Sequence, residues 1–511
     1  MAHIDLSDVG KSNRIYSDDE AYIISSRLKE AQEYLHQITL KSFQGKKNSK
    51  RRRITPGKTE MEEQKILDRI AGYMIALAPH KKLSEDILRI IFTFCSPTIV
   101  FDQNTRTPRE FPQVILTQVS SQWRRIALDT VELWNDYRLE EVDQLSEYIF
   151  TMLLPRARNS LISLIGYFSV AYDRKLIYRL SMYRFRSLFL FLDNEQFSFI
   201  RSHFQLNDLA TLGLVYDGKY RAPNVTLNLH PNDFPKLKSL TLRLSISMLE
   251  STIISFPWRQ LTVLNLKDEE WQAIPYGIAL NILRECVLLQ ECKVCVRDDA
   301  PSVPLRDVVL PHLKVLHLEI RGSENCFDHL FGAFILPRLD TFHISGIPFC
   351  WSMPAFSRVA ERSGFHQLLD LRMHGFSGTA PLCQVLELLP GLNTLQLGMA
   401  DFTDEVYSGL SQGQLCPCLL TIALHTNEVD VMERLLDVVE GRLDRTNADG
   451  KIGDGPAAVQ PFRWIIFQTD YVSVTRALED GRMDKGRLEQ LKERGVEIRC
   501  GLFDPGHVFH I

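Results

Sequence analysis

The chain has 511 residues, 45% of them hydrophobic and 24% charged, with a net charge of -4. That apolar content can build a large core and excludes wholesale disorder. The near balance of charge gives no reason to expect nucleic acid or an acidic membrane surface as a partner. Residues 1–10 carry Asp5 and Asp8 and lack the apolar core of a secretory leader, and no stretch reaches the roughly 18 apolar residues of a spanning helix. A soluble, intracellular protein is expected, cytoplasmic and with a nuclear reading considered below. Its ten cysteines, most inside apolar stretches such as the one ending in Cys95, read as buried, reduced thiols.

In chain order, Ser17-Asp18-Asp19-Glu20 fits a capping box and predicts a helix start. Ala21, Ile24, Leu28, Ala31, Leu35 and Ile38 then recur at steps of three and four, a stripe expected to pack on a neighbouring helix of the same chain. The first domain is therefore 1–40, an N-terminal helix. Residues 41–60 hold eight Lys or Arg against one acid, with clusters at Lys46-Lys47 and Lys50-Arg51-Arg52-Arg53. Like charges oppose compaction, so this segment reads as a solvated linker, and a nuclear localisation signal is the functional alternative. A second helical pattern, with Ile66, Ile70, Met74 and Leu77 on one face, covers 61–78.

Residues 83–139 carry the most informative motifs. Leu83-Ser84-Glu85-Asp86-Ile87-Leu88, with Ile91 and Phe92 one turn on, predicts an amphipathic helix over 84–95. Val119, Trp123 and Ile126 follow helical spacing on another, and Trp134 stands at the exit. A three-helix unit of this size barely fills its own core, and its leftover apolar surface is a partner site. The order of these motifs and the paired tryptophans resemble an F-box, in the form found in many fungal F-box proteins. The resemblance covers the residues of this segment alone.

That resemblance implies a docking module whose partner is the Skp-type adaptor of a cullin-based ubiquitin ligase. By motif, Leu83, Glu85, Ile87, Leu88 and Ile91 would contact the adaptor, while Val119, Trp123 and Trp134 match positions that pack the domain and border that surface. The family has proline where this chain has Ser84. A serine hydroxyl can still cap the helix, but the rigid apolar contact of proline is lost, which would weaken docking. The helix and this module together make the domain 61–139.

From residue 161 an internal repeat appears: apolar, two variable, apolar, one variable, apolar. It runs through Leu161/Leu164/Gly166, Phe185/Leu188/Leu190, Leu209/Leu212/Leu214, Leu237/Leu240/Leu242, Leu261/Leu264/Leu266 and Leu289/Cys292/Val294. It continues with Leu313/Leu316/Leu318, Leu339/Phe342/Ile344, Leu368/Leu371/Met373, Leu392/Leu395/Leu397 and Leu419/Ile422/Leu424. Successive starts lie 24 to 29 residues apart, inside the window of leucine-rich repeats. Pro235, Pro311, Pro337, Pro390 and Pro417 each stand two residues before a first apolar position and hand over from helix to strand. The usual asparagine is present only as Asn427, so the turns must be held differently. A strand at Phe462/Ile465/Phe467, a helix near 484–494 and Val496-Glu497-Ile498 would close the array. The expected fold is α/β: an N-terminal helical region and three-helix F-box-like module, then an irregular leucine-rich-repeat solenoid with a C-terminal cap over 140–511.

In such strands the variable positions face the concave surface. The candidate target-binding residues there are Arg243, Lys267, Lys293, His317, His343, Arg372, His374 and His425. The same face carries Glu291, Glu319 and Asp370, which nearly cancel the cations and argue against a dedicated phosphate site. Cys292 and Cys295 have C-x-x-C spacing, but Cys292 takes a core leucine position and no second pair sits at zinc spacing, so no metal and no cofactor is expected. There is no P-loop, no G-x-G-x-x-G and no nucleophile-with-acid pattern around the histidines. The reading is a non-enzymatic substrate-recognition subunit of a ligase with an unknown protein target. Its rivals are a repeat scaffold that joins no ligase and an enzyme built on a repeat scaffold.

Overall fold

The computed structural model describes residues 9, 15–48, 57–95, 98–101, 111–139, 152–167, 178–192, 203–216, 231–243, 256–266, 273–298, 306–321, 324–349, 351–376, 381–398, 402–426, 428–448, 459–468, 480, 483–500 and 509–510. It divides into two compact units, Met1–Ile165 and Gly166–Ile511.

In the first unit the capping box closes reciprocally. The Ser17 amide donates to Glu20 Oε2 at 2.9 Å and the Glu20 amide to Ser17 Oγ at 3.3 Å. Helix α1 (Asp18–Asn48) starts there and runs into the stretch expected as linker. The physical reason is that Leu, Lys and Gln are good helix formers and no proline intervenes before Pro56. Lys50 to Arg53 of the basic cluster lie outside the described residues. Helix α2 (Gly57–Ala76) returns antiparallel to α1, because Tyr34 reaches Glu62 at 3.1 Å while Lys82, beyond the far end of α2, reaches Asp18 at 2.8 Å. Ile24, Leu28 and Ala31 of the stripe pack with Tyr73, Ala76 and Leu77.

Three short helices follow: α3 (Glu85–Cys95), α4 (Pro112–Val119) and α5 (Ser121–Asp129). Ser84 Oγ accepts the Ile87 amide at 3.4 Å and Ser120 Oγ accepts the Trp123 amide at 3.1 Å, so each hydroxyl satisfies one free donor at a helix start. Leu88, Phe92, Val114, Leu116, Ile126 and Trp134 fill the interior. Beyond α3, β1 (Ile99–Phe101) pairs in parallel with β2 (Asp136–Leu139). Cys95 is exposed at the end of α3, against the expectation of burial. The degenerate first repeat falls on β3 (Ile162–Tyr167).

The second unit is a mixed α/β assembly on a long parallel sheet. Its strands are β4 (Phe185–Leu192), β5 (Thr211–Tyr216), β6 (Ser239–Arg243), β7 (Val263–Leu266), β8 (Glu291–Arg297) and β9 (Val315–Arg321). They continue as β10 (Thr341–Phe349), β11 (Asp370–Phe376), β12 (Thr394–Leu397), β13 (Thr421–His425), β14 (Trp464–Gln468) and β15 (Glu497–Cys500). Each pairs with the next in sequence, and all are parallel. A last strand, β16 (Phe509–His510), turns back antiparallel on β15. The middle apolar residues of the repeats lie side by side: Leu240 beside Leu264, then Cys292, Leu316, Phe342, Leu371, Leu395 and Ile422. They are buried, and the residues between them are for the most part half-buried, which is the two-residue alternation of a sheet with one covered face.

Helices follow β7 and each strand from β9 to β13: α6 (Tyr276–Glu285), α7 (Glu324–Ala333), α8 (Met353–Ser363), α9 (Leu382–Glu387), α10 (Asp404–Ser411) and α11 (Val429–Ala448), with α12 (Lys485–Glu493) before β15. From α6 to α11 each helix packs on the next. Phe327 and Phe331 of α7 stack at 4.0 Å between ring centres, and Phe331 meets Phe342 of β10 at 5.8 Å and Phe356 of α8 at 6.3 Å. Core helices and strands are thus joined by aromatic contacts that area burial and ring geometry both favour.

Two backbone hydrogen-bond patterns recur along the sheet. First, each repeat enters its strand through a turn in which the first apolar residue donates its amide three residues back: Leu237 to Phe234, Leu313 to Leu310, Leu339 to Leu336, Leu392 to Leu389 and Leu419 to Cys416. The five noted prolines occupy the second position of these turns, where a fixed φ is favourable. Second, one carbonyl in each repeat accepts two consecutive amides of the next. Lys238 O takes Thr262 and Val263, Gln290 O takes Lys314 and Val315, Asp340 O takes Leu369 and Asp370, and Asn393 O takes Leu420 and Thr421. Asn427 lies outside the described residues.

Side chains also link successive turns. Asp208 accepts from Arg184 Nε at 2.9 Å and from Lys236 Nζ at 2.7 Å, so it joins the turns preceding β4, β5 and β6. Hydrogen bonds from Lys236 and then Arg184 hold its carboxyl below the ordinary value. A depressed folded pKa adds stability above the unfolded value, about 3.9, and that stability is lost as pH falls through the folded value. Asp208→Asn is therefore expected to lower the thermal midpoint at about pH 7 and to leave it unchanged at about pH 2. Melts at both pH values check this, and an equal deficit at both would contradict it.

Candidate functional site

The first site is the surface of the three-helix module. Helix α3 is apolar on two faces. Leu88 is 1% exposed and Phe92 is fully buried, with its ring 4.8 Å from that of Trp123. On the other side Ile87, Ile90, Ile91 and Phe94 are exposed, Phe94 to 87%. Ile115 and Val119 of α4 are exposed as well. An amphipathic surface helix carries one apolar stripe; among the described residues α3 presents a second, exposed one.

Several residues expected at the adaptor contact stand elsewhere. Leu88 is a core residue, since its helical spacing puts it on the stripe with Phe92. Trp134 is fully buried and donates its indole N–H to Ala127 O at 2.9 Å, so it holds the module together and does not border a surface. Glu85 is gripped by Arg125 of α5, at 3.2 Å through one of two contacts, and that hydrogen bond holds its carboxyl below the usual range. Its charge is largely spent within the module. Leu83 and Trp123 are half-buried and Ser84 is exposed. Ile90, Phe94 and Ile115 were not among the expected contacts. The signal for them was present: α3 carries six large apolar residues, more than one stripe of a short helix can use.

The second site is the open face of the parallel sheet. Lys293, His317, His343 and Arg372 occupy one register position on four adjacent strands, β8 to β11. His317 and His343 approach Nδ1 to Nδ1 at 3.1 Å. His374 lies two residues along β11, its ring 5.4 Å from that of His343. Burial, with His425 and Arg372 adding to it, lowers the His374 pKa to about 4, so it is neutral at physiological pH. Arg243 is half-buried at the end of β6, His425 is exposed on β13, and Lys267 lies outside the described residues.

The cations of this face are matched by their own strands. Lys293 pairs with Glu291 at 3.3 Å, Arg321 with Glu319 at 2.6 Å, Arg372 with Asp370 at 2.8 Å and Arg499 with Glu497 at 2.9 Å. Each acid stands two residues before its cation, on the same side of the strand, as the period of two requires. Lys293 and Arg372 are therefore neutralised and oriented in place, and do not act as bare cations awaiting a phosphate.

The C-x-x-C pair lies in the interior of β8. Cys292 and Cys295 are buried, and burial raises the Cys292 thiol to about 12, which keeps it protonated. Among the described residues no group of three His, Cys, Asp or Glu is placed to hold a metal ion, and no helix is long and apolar enough to cross a membrane.

No family model matches the chain, and no curated protein matches it. Among solved structures, the crystal structure of a TLR13–ssRNA13 complex overlaps 51% of this chain and 40% of that one, at 16% identity and a TM-score of 0.33.

Proposed function

We propose that the protein is the substrate-recognition subunit of a cullin-based ubiquitin ligase. Its three-helix module binds a Skp-type adaptor, and its strands form an irregular leucine-rich-repeat solenoid whose concave face holds a target protein. The observation that carries this reading is the second apolar face of α3, where Ile87, Ile90, Ile91 and Phe94 are exposed opposite the buried Leu88 and Phe92. The motif order over 83–139 supports it. The mechanism is proximity: one unit engages the ligase while the other holds the target, which raises the effective concentration of target lysines near the ubiquitin carrier. No residue of this chain carries out covalent chemistry.

Co-purification with a Skp-type adaptor tests the proposal. The native chain is expected to retain the adaptor, and Ile91→Asp with Phe94→Asp to weaken binding by at least about thirtyfold, because a charge replaces the anchor of an apolar contact. Both side chains are exposed, so the variant's melting is expected to match the native one. If the native chain retains no adaptor, the proline-to-serine departure at Ser84 is decisive and a repeat scaffold outside any ligase replaces this reading.

A further inference from the structure

We infer that residues 483–500 form an end cap that is latched onto α11 by charge, and that this cap opens as a unit, ahead of the rest of the sheet, to uncover the edge of β14.

The latch is built on one face of α11. Glu433, Asp437, Glu440 and Asp444 recur at steps of four, three and four, so they share one stripe along the helix. Like charges at that spacing repel and destabilise a helix. Two arginines facing them from the cap hold them together. Arg487 of α12 donates through Nε and Nη2 to the two oxygens of Glu440, at 2.7 and 2.9 Å. The same guanidinium reaches Glu433 at 2.6 Å and Asp437 at 2.5 Å. Arg494, just past the end of α12, meets Asp444 at 2.5 Å. A guanidinium forked onto a carboxylate is the strong form of an ion pair, and the Arg487 side chain is only 16% exposed.

The other charges of these elements are engaged elsewhere or face solvent. Arg434 turns to Asp404, Arg445 to the Gln412 carbonyl, and on β15 Arg499 pairs with Glu497. Lys485, Glu489, Lys492 and Glu493 of α12 are exposed. Opening the cap therefore takes Arg487 and Arg494 away from four carboxylates of one helix.

The rest of the grip is small. The cap buries Met483, Leu488, Leu491, Val496 and Ile498, and β15 pairs with β14 over four residues. A segment with few apolar contacts opens at lower cost than the middle of a sheet. On its other edge β14 is held by β13 over five residues. Arg442, on the side of α11 opposite the acidic stripe, donates to the carbonyls of Cys416, Pro417 and Gln460 and so braces the entries to β13 and β14. The strand beneath the cap is thus fixed independently of it, and opening leaves an ordered edge with unpaired N–H and C=O groups.

Hydrogen exchange of the full chain, read by mass spectrometry in about 0.05 M and about 0.5 M NaCl at one pH, tests this. In the native chain the amides of 485–500 are expected to exchange about threefold faster at the higher salt, which screens the latch, while those of β9 to β12 do not change. Arg487→Met is expected to speed exchange of the cap about tenfold at low salt. Its salt response is expected to reverse. The closed cap of that variant confines carboxylates that repel one another, so screening favours closure. Arg494→Gln, at an exposed position, is expected to raise low-salt exchange less and to shrink the native salt response, and it keeps the test open if the methionine variant does not fold. The same salt response in the native chain and in these variants would overturn the inference, because a latch held by packing alone predicts it. So would exchange of 485–500 that rises only in step with β9 to β12, since the cap would then open only with the whole unit.

Discussion

Arg442→Met is expected to destabilise the repeat unit by about 3–5 kcal/mol, among the largest effects of any single substitution here. Arg442 is fully buried on α11, and among the described residues no carboxylate pairs with it. Its guanidinium donates instead to four backbone carbonyls: Gln460 at 2.7 Å, Leu410 at 3.1 Å, Cys416 at 2.9 Å and Pro417 at 2.6 Å. It also lies over the Phe462 ring at 4.8 Å. Burial draws its pKa down to about 10, so it remains charged at neutral pH. One side chain thus joins α10, the turn before β13 and the approach to β14. Methionine fills the volume but removes four hydrogen bonds from a charged donor, each worth about 1.5–3 kcal/mol before relaxation, while the Leu410, Cys416 and Pro417 carbonyls keep the Gly413, Leu419 and Gln460 amides. Arg442→Lys restores the charge and not the planar fork, and recovers only part of the loss. Urea unfolding followed by circular dichroism checks the order native, Lys, Met. A methionine variant with the native midpoint would contradict the assignment.

Trp134→Ala is expected to cost about 3–5 kcal/mol and to loosen the three-helix module. The indole is fully buried, its N–H held by Ala127 O at 2.9 Å, with Arg156 stacked on it at 4.6 Å. The Tyr137 hydroxyl donates to the Trp134 carbonyl at 2.6 Å, which anchors β2 to the same point. Deleting the ring opens a cavity beneath α3 and α5 and removes the register point of the β1–β2 pair. Amide exchange measured by mass spectrometry is expected to speed up across residues 85–129, while Phe94→Ala, at an exposed position, changes stability by no more than about 0.5 kcal/mol. Equal exchange in the two variants would contradict the division of α3 and its neighbours into core and docking residues.

The strands of the repeat unit were legible because leucine at fixed offsets reports a period of two and a repeat length at once. Leu240, Leu264, Leu316, Leu371 and Leu395 each lie in register where the pattern puts them. The five prolines were legible as boundaries, and their place in hydrogen-bonded turns explains why. The carbonyls that accept two amides were not legible, since a backbone device leaves no side-chain signature. The far end of α1 was missed because Lys-rich sequence is ambiguous between helix and linker when no apolar stripe continues.

At the sites, helical and strand periodicity predicted faces but not partners. The His317 and His343 positions were visible as outward residues, but their contact depends on the register between β9 and β10, which sequence does not report. The cancelling acids were visible too, yet their pairing is a matter of side-chain reach across two residues of one strand. In α3 the resemblance directed attention to Leu88, whereas the surplus of apolar residues pointed to Phe94.

The central claim is that the exposed face of α3 is an adaptor-binding surface. Calorimetric titration of the full chain with a purified Skp-type adaptor at several temperatures tests it most directly. The account predicts one-to-one binding with a negative heat-capacity change, the mark of apolar burial, and its loss in Phe94→Asp with unchanged melting. Absence of binding by the native chain, or binding that Phe94→Asp leaves intact, would contradict it.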